Sequence, residues 1–170
     1  MIGGSGCEGT SLTIDMSCRM AAAGADAVMV LTPCYFKNKM DVPALVGHYN
    51  KVADSSPVPV FLYNIPMATG YVLFNFMAKQ CNITPQQKTH FYLFALINRL
   101  DLPAAVAIEC AKHPNIVGMK ESGGDVTKIG MIMSGTNNNP KNFCVLAGAT
   151  TFLCPPPNLG RMEQCVGLET

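Results

Sequence analysis

Three short stretches place reactive side chains at the ends of apolar runs: Thr32-Pro33-Cys34-Tyr35, Tyr63-Asn64-Ile65-Pro66-Met67-Ala68-Thr69-Gly70, and Gly118-Met119-Lys120-Glu121-Ser122-Gly123-Gly124-Asp125. Lys120 carries the most information, because it closes the run Asn115-Ile116-Val117-Gly118-Met119. A lysine in that position is expected to be partly withdrawn from water, and desolvation favours the neutral amine. A neutral amine attacks a carbonyl carbon and forms an imine. The ordinary alternative is a lysine whose stem lies along the strand end while its ammonium stays in water. Tyr63 is similarly double: a packed ring with a satisfied hydroxyl, or a phenol that passes protons beside an imine.

The elements that must position these residues alternate regularly. Met1 to Gly6 reads as a strand tail, and Thr10 as the N-cap of a helix carrying Leu12, Met16 and Met20 and ended by Gly24. Ala27 to Pro33 reads as a buried strand, apolar on both faces. Asp41 caps a second helix through Leu45, His48, Tyr49 and Val52, with Pro43 tolerated in its first turn. Val58 to Tyr63 is the next strand, Leu102 to Lys112 a helix, and Asn115 to Lys120 a strand. Asp125 then opens a helix through Ile129 and Ile132, and Phe143 to Gly148 is the fifth strand.

Such alternation predicts an α/β fold with a parallel sheet covered by helices, either doubly wound or a (βα)8 barrel, and periodicity does not choose between them. In both, ligands sit at the carboxyl ends of the strands, where the three reactive stretches fall. Two segments break the rhythm. Residues 71–99 gather Tyr71, Phe74, Phe76, Phe91, Tyr92 and Phe94 without a single acidic residue, where a short loop is expected. Pro155-Pro156-Pro157 opens a tail, residues 154–170, where another helix should begin.

Composition removes several function classes. Of the 170 residues 49% are hydrophobic and 14% charged, which argues against disorder, and a net charge of +1 gives no footprint for nucleic acid or an anionic membrane. No apolar run has the length of a membrane helix. Eight cysteines stand singly, with no C-x-x-C and no histidine at metal spacing, and are expected to be reduced, buried thiols rather than ligands or disulfides. Gly3-Gly4-Ser5-Gly6 lacks the spacing of a dinucleotide loop, which disfavours a doubly wound nucleotide-binding domain.

The tyrosine stretch followed by Val117-Gly118-Met119-Lys120-Glu121 resembles the signature of the dihydrodipicolinate synthase and N-acetylneuraminate lyase family. Gly4-Ser5-Gly6-Cys7-Glu8, Thr32 to Tyr35, His113 to Lys120 and Ser122 to Thr127 extend the likeness, which covers residues 1–70 and 100–153. The resemblance implies a class I, pyruvate-dependent aldolase on a (βα)8 TIM barrel, of which this sequence carries about five central βα units. On that reading residues 1–153 form a partial barrel domain interrupted by 71–99, and 154–170 is a tail foreign to it. Both foreign segments are expected to reflect a different exon choice or a retained intron.

Carried over by resemblance, Lys120 forms the imine with a small 2-oxo acid, Tyr63 shuttles protons, and Tyr35 belongs to a relay completed across a subunit contact in a homo-oligomer. Ser122, Thr69 and Gly148 fall near the substrate. No metal or organic cofactor is implied. Within the family the likeness is to members that cleave 4-hydroxy-2-oxoglutarate to pyruvate and glyoxylate in mitochondria, although residues 1–6 contain no targeting pattern. By the same resemblance Ala68, where synthases of the family carry an arginine, argues against a synthase, and Glu121 directly after Lys120, where the lyase subgroup usually lacks an acidic residue, disfavours sialic-acid cleavage. A dihydrodipicolinate synthase-like or other pyruvate-dependent lyase is the further alternative. The family's first two strands, with the glycine-rich loop for the pyruvate carboxylate, and its last strand lie outside the match. Five strands do not close a barrel, so an exposed inner face, a tendency to aggregate and an inactive fragment form the competing expectation.

Overall fold

The computed structural model describes residues 1–66, 100–137 and 143–148, and the backbone of 163–164. Its elements are β1 (Ile2–Gly4), α1 (Thr10–Ala22), β2 (Ala27–Leu31), α2 (Val42–Ser55), β3 (Val60–Asn64), α3 (Ala104–Cys110), β4 (Ile116–Glu121), α4 (Val126–Gly135), β5 (Cys144–Ala147) and β6 (Glu163–Gln164). All strand pairs are parallel and the order is β1-β2-β3-β4-β5-β6. A doubly wound sheet reverses its order at a switch point; this one never does. With right-handed crossovers, an unreversed order keeps successive helices on one face of the sheet, which curls into an arc of a (βα)8 barrel. Strand order therefore settles the choice that periodicity leaves open. Glu163 and Gln164 pair with Leu146 and Ala147, so two residues of the proline-rich tail extend the sheet.

The core lies between sheet and helices. Val28 and Val30 of β2, Val60 and Leu62 of β3, and Ile116 and Met119 of β4 pack with Leu45, Tyr49 and Val52 of α2, Val106 and Cys110 of α3, and Ile129 and Ile132 of α4. Alternate residues on the inner face, Met29, Leu31, Phe61, Tyr63 and Lys120, are only half-buried. Two caps are made as expected: the Asp41 carboxylate accepts from Ala44 N at 2.9 Å, and that of Asp125 from Lys128 N at 3.1 Å.

Helix α1 departs from expectation. Its N-cap is Gly9, and the Thr10 hydroxyl instead meets His48 Nδ1 at 2.9 Å. Its buried positions are Thr13 and Ser17, while Leu12 is 65% exposed. The hydroxyls can be buried because they donate to backbone: Thr13 to Cys7 O and Gly9 O, Ser17 to Thr13 O. The cysteines divide as well. Cys34 and Cys110 are buried, as expected, but Cys7, Cys18 and Cys144 are half-buried. Cys81, Cys154 and Cys165 lie outside the described residues, as do Thr69 and residues 67–99.

Candidate active site

The site is built at the carboxyl ends of β3 and β4, and a register shift makes it. Val60 pairs with Ile116, but Phe61 pairs with Gly118, so one residue of β4 is passed over. Side chains alternate faces along a strand, and this single step decides which face Lys120 takes. Unshifted pairing would set Met119 beside Tyr63 and turn Lys120 toward the helices. The observed pairing sets Lys120 beside Tyr63 on the inner face, and Lys120 Nζ lies 4.7 Å from the centre of the Tyr63 ring. Gly118 permits the close packing, since a Cβ there would clash with Phe61 Cε1 at 2.8 Å and with the Cys144 carbonyl.

Beneath this pair is a polar cluster on the helix side of the sheet. Asn64, which follows Tyr63, donates from Nδ2 to both oxygens of Glu121, which follows Lys120, at 2.9 Å each. The same amide donates to Asp101 Oδ1 at 2.7 Å, and its oxygen accepts from Leu102 N at 2.9 Å. Lys128 of α4 reaches Glu121 Oε2 at 3.2 Å and also pairs with Asp101. Glu121 is fully buried and the Lys128 side chain 8% exposed, whereas that of Asp101 is 55% exposed. Glu121 also accepts from Gly123 N at 2.5 Å, which fixes the turn into α4.

Tyr63 is held from the other side too. Its carbonyl accepts from the Thr32 hydroxyl at 3.3 Å, and that hydroxyl accepts from Tyr49 OH at 3.0 Å. Burial raises the Tyr49 phenol well above its ordinary range, so it stays a donor at neutral pH. Ser122 and Gly148 also meet. Gly148 N donates to Glu121 O at 2.8 Å, and a Cβ on Gly148 would overlap the Ser122 hydroxyl. That hydroxyl is buried without a hydrogen-bond partner among the described residues.

Tyr35 is arranged differently. It is 56% exposed, its ring edge-on to Phe36 at 4.8 Å between centroids. The Glu8 carboxylate holds this corner, accepting from Tyr35 N at 2.8 Å, Cys34 N at 2.9 Å and Cys34 Sγ at 3.3 Å. Burial, then the Glu8 charge and its hydrogen bond, push the Cys34 thiol up to about 12, so it is no nucleophile at neutral pH.

Thus Lys120 and Tyr63 are brought together, as are Ser122 and Gly148; Tyr35 stands in solvent and Thr69 is outside the described residues. Sequence reasoning missed Asn64, Asp101 and Lys128 as partners of this site. One signal was legible: Lys128 is the single charge on the buried stripe of α4 with Ile129, Ile132 and Met133. Among the described residues no group of three or more His, Cys, Asp or Glu could hold a metal ion.

Comparison with known proteins bears on the same region. The family model of the dihydrodipicolinate synthetase family matches residues 1–80. Curated relatives include 4-hydroxy-tetrahydrodipicolinate synthases of Exiguobacterium sibiricum, 32% identical over 155 residues, and Methanospirillum hungatei, 32% identical over 160. These alignments take in 91% and 94% of this chain but 41% and 43% of the relatives, so the chain spans less than half their length. A dihydrodipicolinate synthase from Acinetobacter baumannii, solved with pyruvate, superposes with a TM-score of 0.61 at 27% identity over 86% of this chain and 39% of that one. A family protein from Coccidioides immitis reaches a TM-score of 0.67 at 23% identity over 96% of this chain and 41% of its own, a likeness of fold. The chain is part of a TIM barrel.

Proposed function

We propose that this chain belongs to the dihydrodipicolinate synthetase family and carries the imine-forming half of a class I, pyruvate-dependent lyase site. The observation that carries the reading is Lys120 Nζ set over the Tyr63 ring at the carboxyl rim of the parallel strands. The family match, the synthase relatives and the pyruvate-bound structural neighbour support it.

The chemistry follows from the two side chains. Neutral Lys120 attacks C2 of a 2-oxo acid; the carbinolamine loses water, and the iminium becomes an electron sink. With 4-hydroxy-2-oxoglutarate, loss of the 4-hydroxyl proton drives cleavage of C3–C4; its electron pair enters the iminium as an enamine and glyoxylate departs. Protonation at C3 and hydrolysis release pyruvate and free Lys120. Tyr63 is the group beside the imine able to give and take these protons. Tyr35, exposed and pinned by Glu8, suits a relay completed by a second subunit, and Ser122 and Thr69 are the neighbours proposed to meet substrate oxygens.

The choice of 4-hydroxy-2-oxoglutarate rests on the likeness of residues 4–8, 32–35, 113–120 and 122–127 to family members that cleave it, with Ala68 against a synthase and Glu121 against a sialic-acid lyase; a mitochondrial location is proposed on the same resemblance. The second reading is a synthase forming 4-hydroxy-tetrahydrodipicolinate, favoured by the names of the relatives. Borohydride reduction with pyruvate, read by peptide mass spectrometry with Lys120→Arg as control, tests the site. A pyruvyl adduct confined to Lys120 is expected. Release of glyoxylate from 4-hydroxy-2-oxoglutarate then selects the aldolase, and formation of 4-hydroxy-tetrahydrodipicolinate the synthase. Absence of the adduct in folded protein means that the residues beyond this chain are indispensable, and the chain is an inactive piece of such an enzyme.

A further inference from the structure

We propose that Asn64, Glu121, Lys128 and Asp101 form a register lock, a set of positioning residues that holds β3 and β4 in the shifted pairing on which the Lys120–Tyr63 juxtaposition depends. Asn64 and Glu121 are cross-strand partners in the shifted register and are joined by both carboxylate oxygens. In the unshifted register Asn64 would face Lys120 instead, and this pair of hydrogen bonds would be lost. A buried carboxylate is costly without a counter-charge, and Lys128 supplies it from α4. Asp101 anchors the outer side of the Lys128 ammonium. The Asn64 amide thereby also ties the end of β3 to Asp101 and Leu102, the residues that lead into α3.

The lock separates charge as well. Glu121 is next to Lys120 in sequence, but its carboxylate lies on the opposite face of the sheet and is matched by Lys128, away from the imine position. Loss of Lys128 leaves the two carboxylates unmatched behind the strand. That loosens the register.

The inference rests on the imine-site reading for its purpose, but its test does not. Methylation of lysines by formaldehyde and cyanoborohydride at one fixed pH, followed by peptide mass spectrometry, reports how accessible the Lys120 amine is relative to exposed Lys51. In Lys128→Met the rate of methylation at Lys120 relative to Lys51 is expected to fall several-fold, because loss of the shifted pairing turns Lys120 from the inner face toward the helices. Pyruvate trapping at saturating pyruvate should fall about tenfold or more, since small misplacements of a reacting group cost rate, while the half-saturating pyruvate concentration stays put. Lys128→Arg should restore both.

A folded Lys128→Met chain with wild-type methylation and trapping profiles overturns the lock, whatever the wild type does with pyruvate. A wild type without an adduct, whose Lys120 methylation still falls in Lys128→Met, keeps the lock and removes catalysis by this chain. Should Lys128→Met not fold, Asp101→Asn replaces it; half-exposed Asp101 tolerates the change, and Lys120 methylation relative to Lys51 is expected to fall about twofold as the Lys128 and Asn64 contacts weaken. Unchanged or faster Lys120 methylation there overturns the lock.

Discussion

The ends of β4 and β2 are each organised by one carboxylate, but in opposite surroundings. Glu121 is fully buried and meets Asn64, Gly123 N and Lys128, with Asp101 closing the cluster. Glu8 is exposed and holds the Cys34–Tyr35 corner through two backbone N–H groups and a thiol. A buried ionic cluster admits very few arrangements, because any lapse in pairing leaves a desolvated charge. An exposed carboxylate lets water take over its partners. The difference separates a rigid floor, suited to fixing Lys120 and Tyr63, from an adaptable corner that leaves Tyr35 free to meet something else.

The comparison breaks most sharply at Lys128. Lys128→Met is expected to cost about 3–5 kcal/mol in urea unfolding, because it strips the counter-charge from buried Glu121. A cost below about 1 kcal/mol would show that the floor is as loosely held as the corner. Gly148→Ala comes next. The added methyl displaces the Ser122 hydroxyl and should lose about 1–3 kcal/mol, the usual penalty of overpacking, together with the pyruvate adduct at Lys120. Full adduct yield in a folded Gly148→Ala chain would exclude Ser122 and Gly148 from the substrate's neighbourhood.

Glu8→Ala sharpens the corner's side of the contrast. About 1 kcal/mol should be lost, and alkylation of Cys34 by iodoacetamide should quicken relative to Cys110 as the corner opens. Cys110, pushed up to about 12 by burial and secondarily by Glu109, serves as the unmoved reference.

The smallest effect belongs to His48. Burial lowers its ionisation below the ordinary 6.5, with Glu8 opposing, so the folded chain prefers the neutral ring. A depressed value stabilises the fold above pH 6.5, and that contribution is lost as pH falls through 6.5 and below. Unfolding free energy measured between pH 8 and 5 should therefore decline less in His48→Asn than in the wild type. Equal slopes would remove His48 from the corner's acid response. The two thiols act at the other end. Cys34 and Cys110 ionise at about 12 in the fold against 9.0 unfolded, so their contribution to stability is constant below pH 9 and declines between pH 9 and 12.

Much of the fold was legible in the residues. Asp41 and Asp125 are side-chain caps in the positions read for them, and the five apolar runs from Met1 to Gly148 all form strands. Lys120 and Tyr63 stood out because each closes an apolar strand, a local property. Helix α1 was misread because apolar spacing ignores hydroxyls that satisfy themselves on backbone, as Thr13 and Ser17 do. Asn64, Asp101 and Lys128 were invisible as a group, since the contacts of Asn64 with Asp101 and Glu121 and of Lys128 with Asp101 join residues 27 to 57 positions apart.

Sequence alone determined the alternation of elements, the caps and the two reactive residues at strand ends, all fixed by spacing and side-chain type within a few residues. Only the tertiary structure decided that the strand order never reverses, that Asn64 and Glu121 become cross-strand neighbours, and that β4 slips by one residue against β3. The last is the decisive one. Side chains alternate faces at every residue, so a one-residue shift held by contacts distant in sequence determines whether Lys120 meets Tyr63 or the helices.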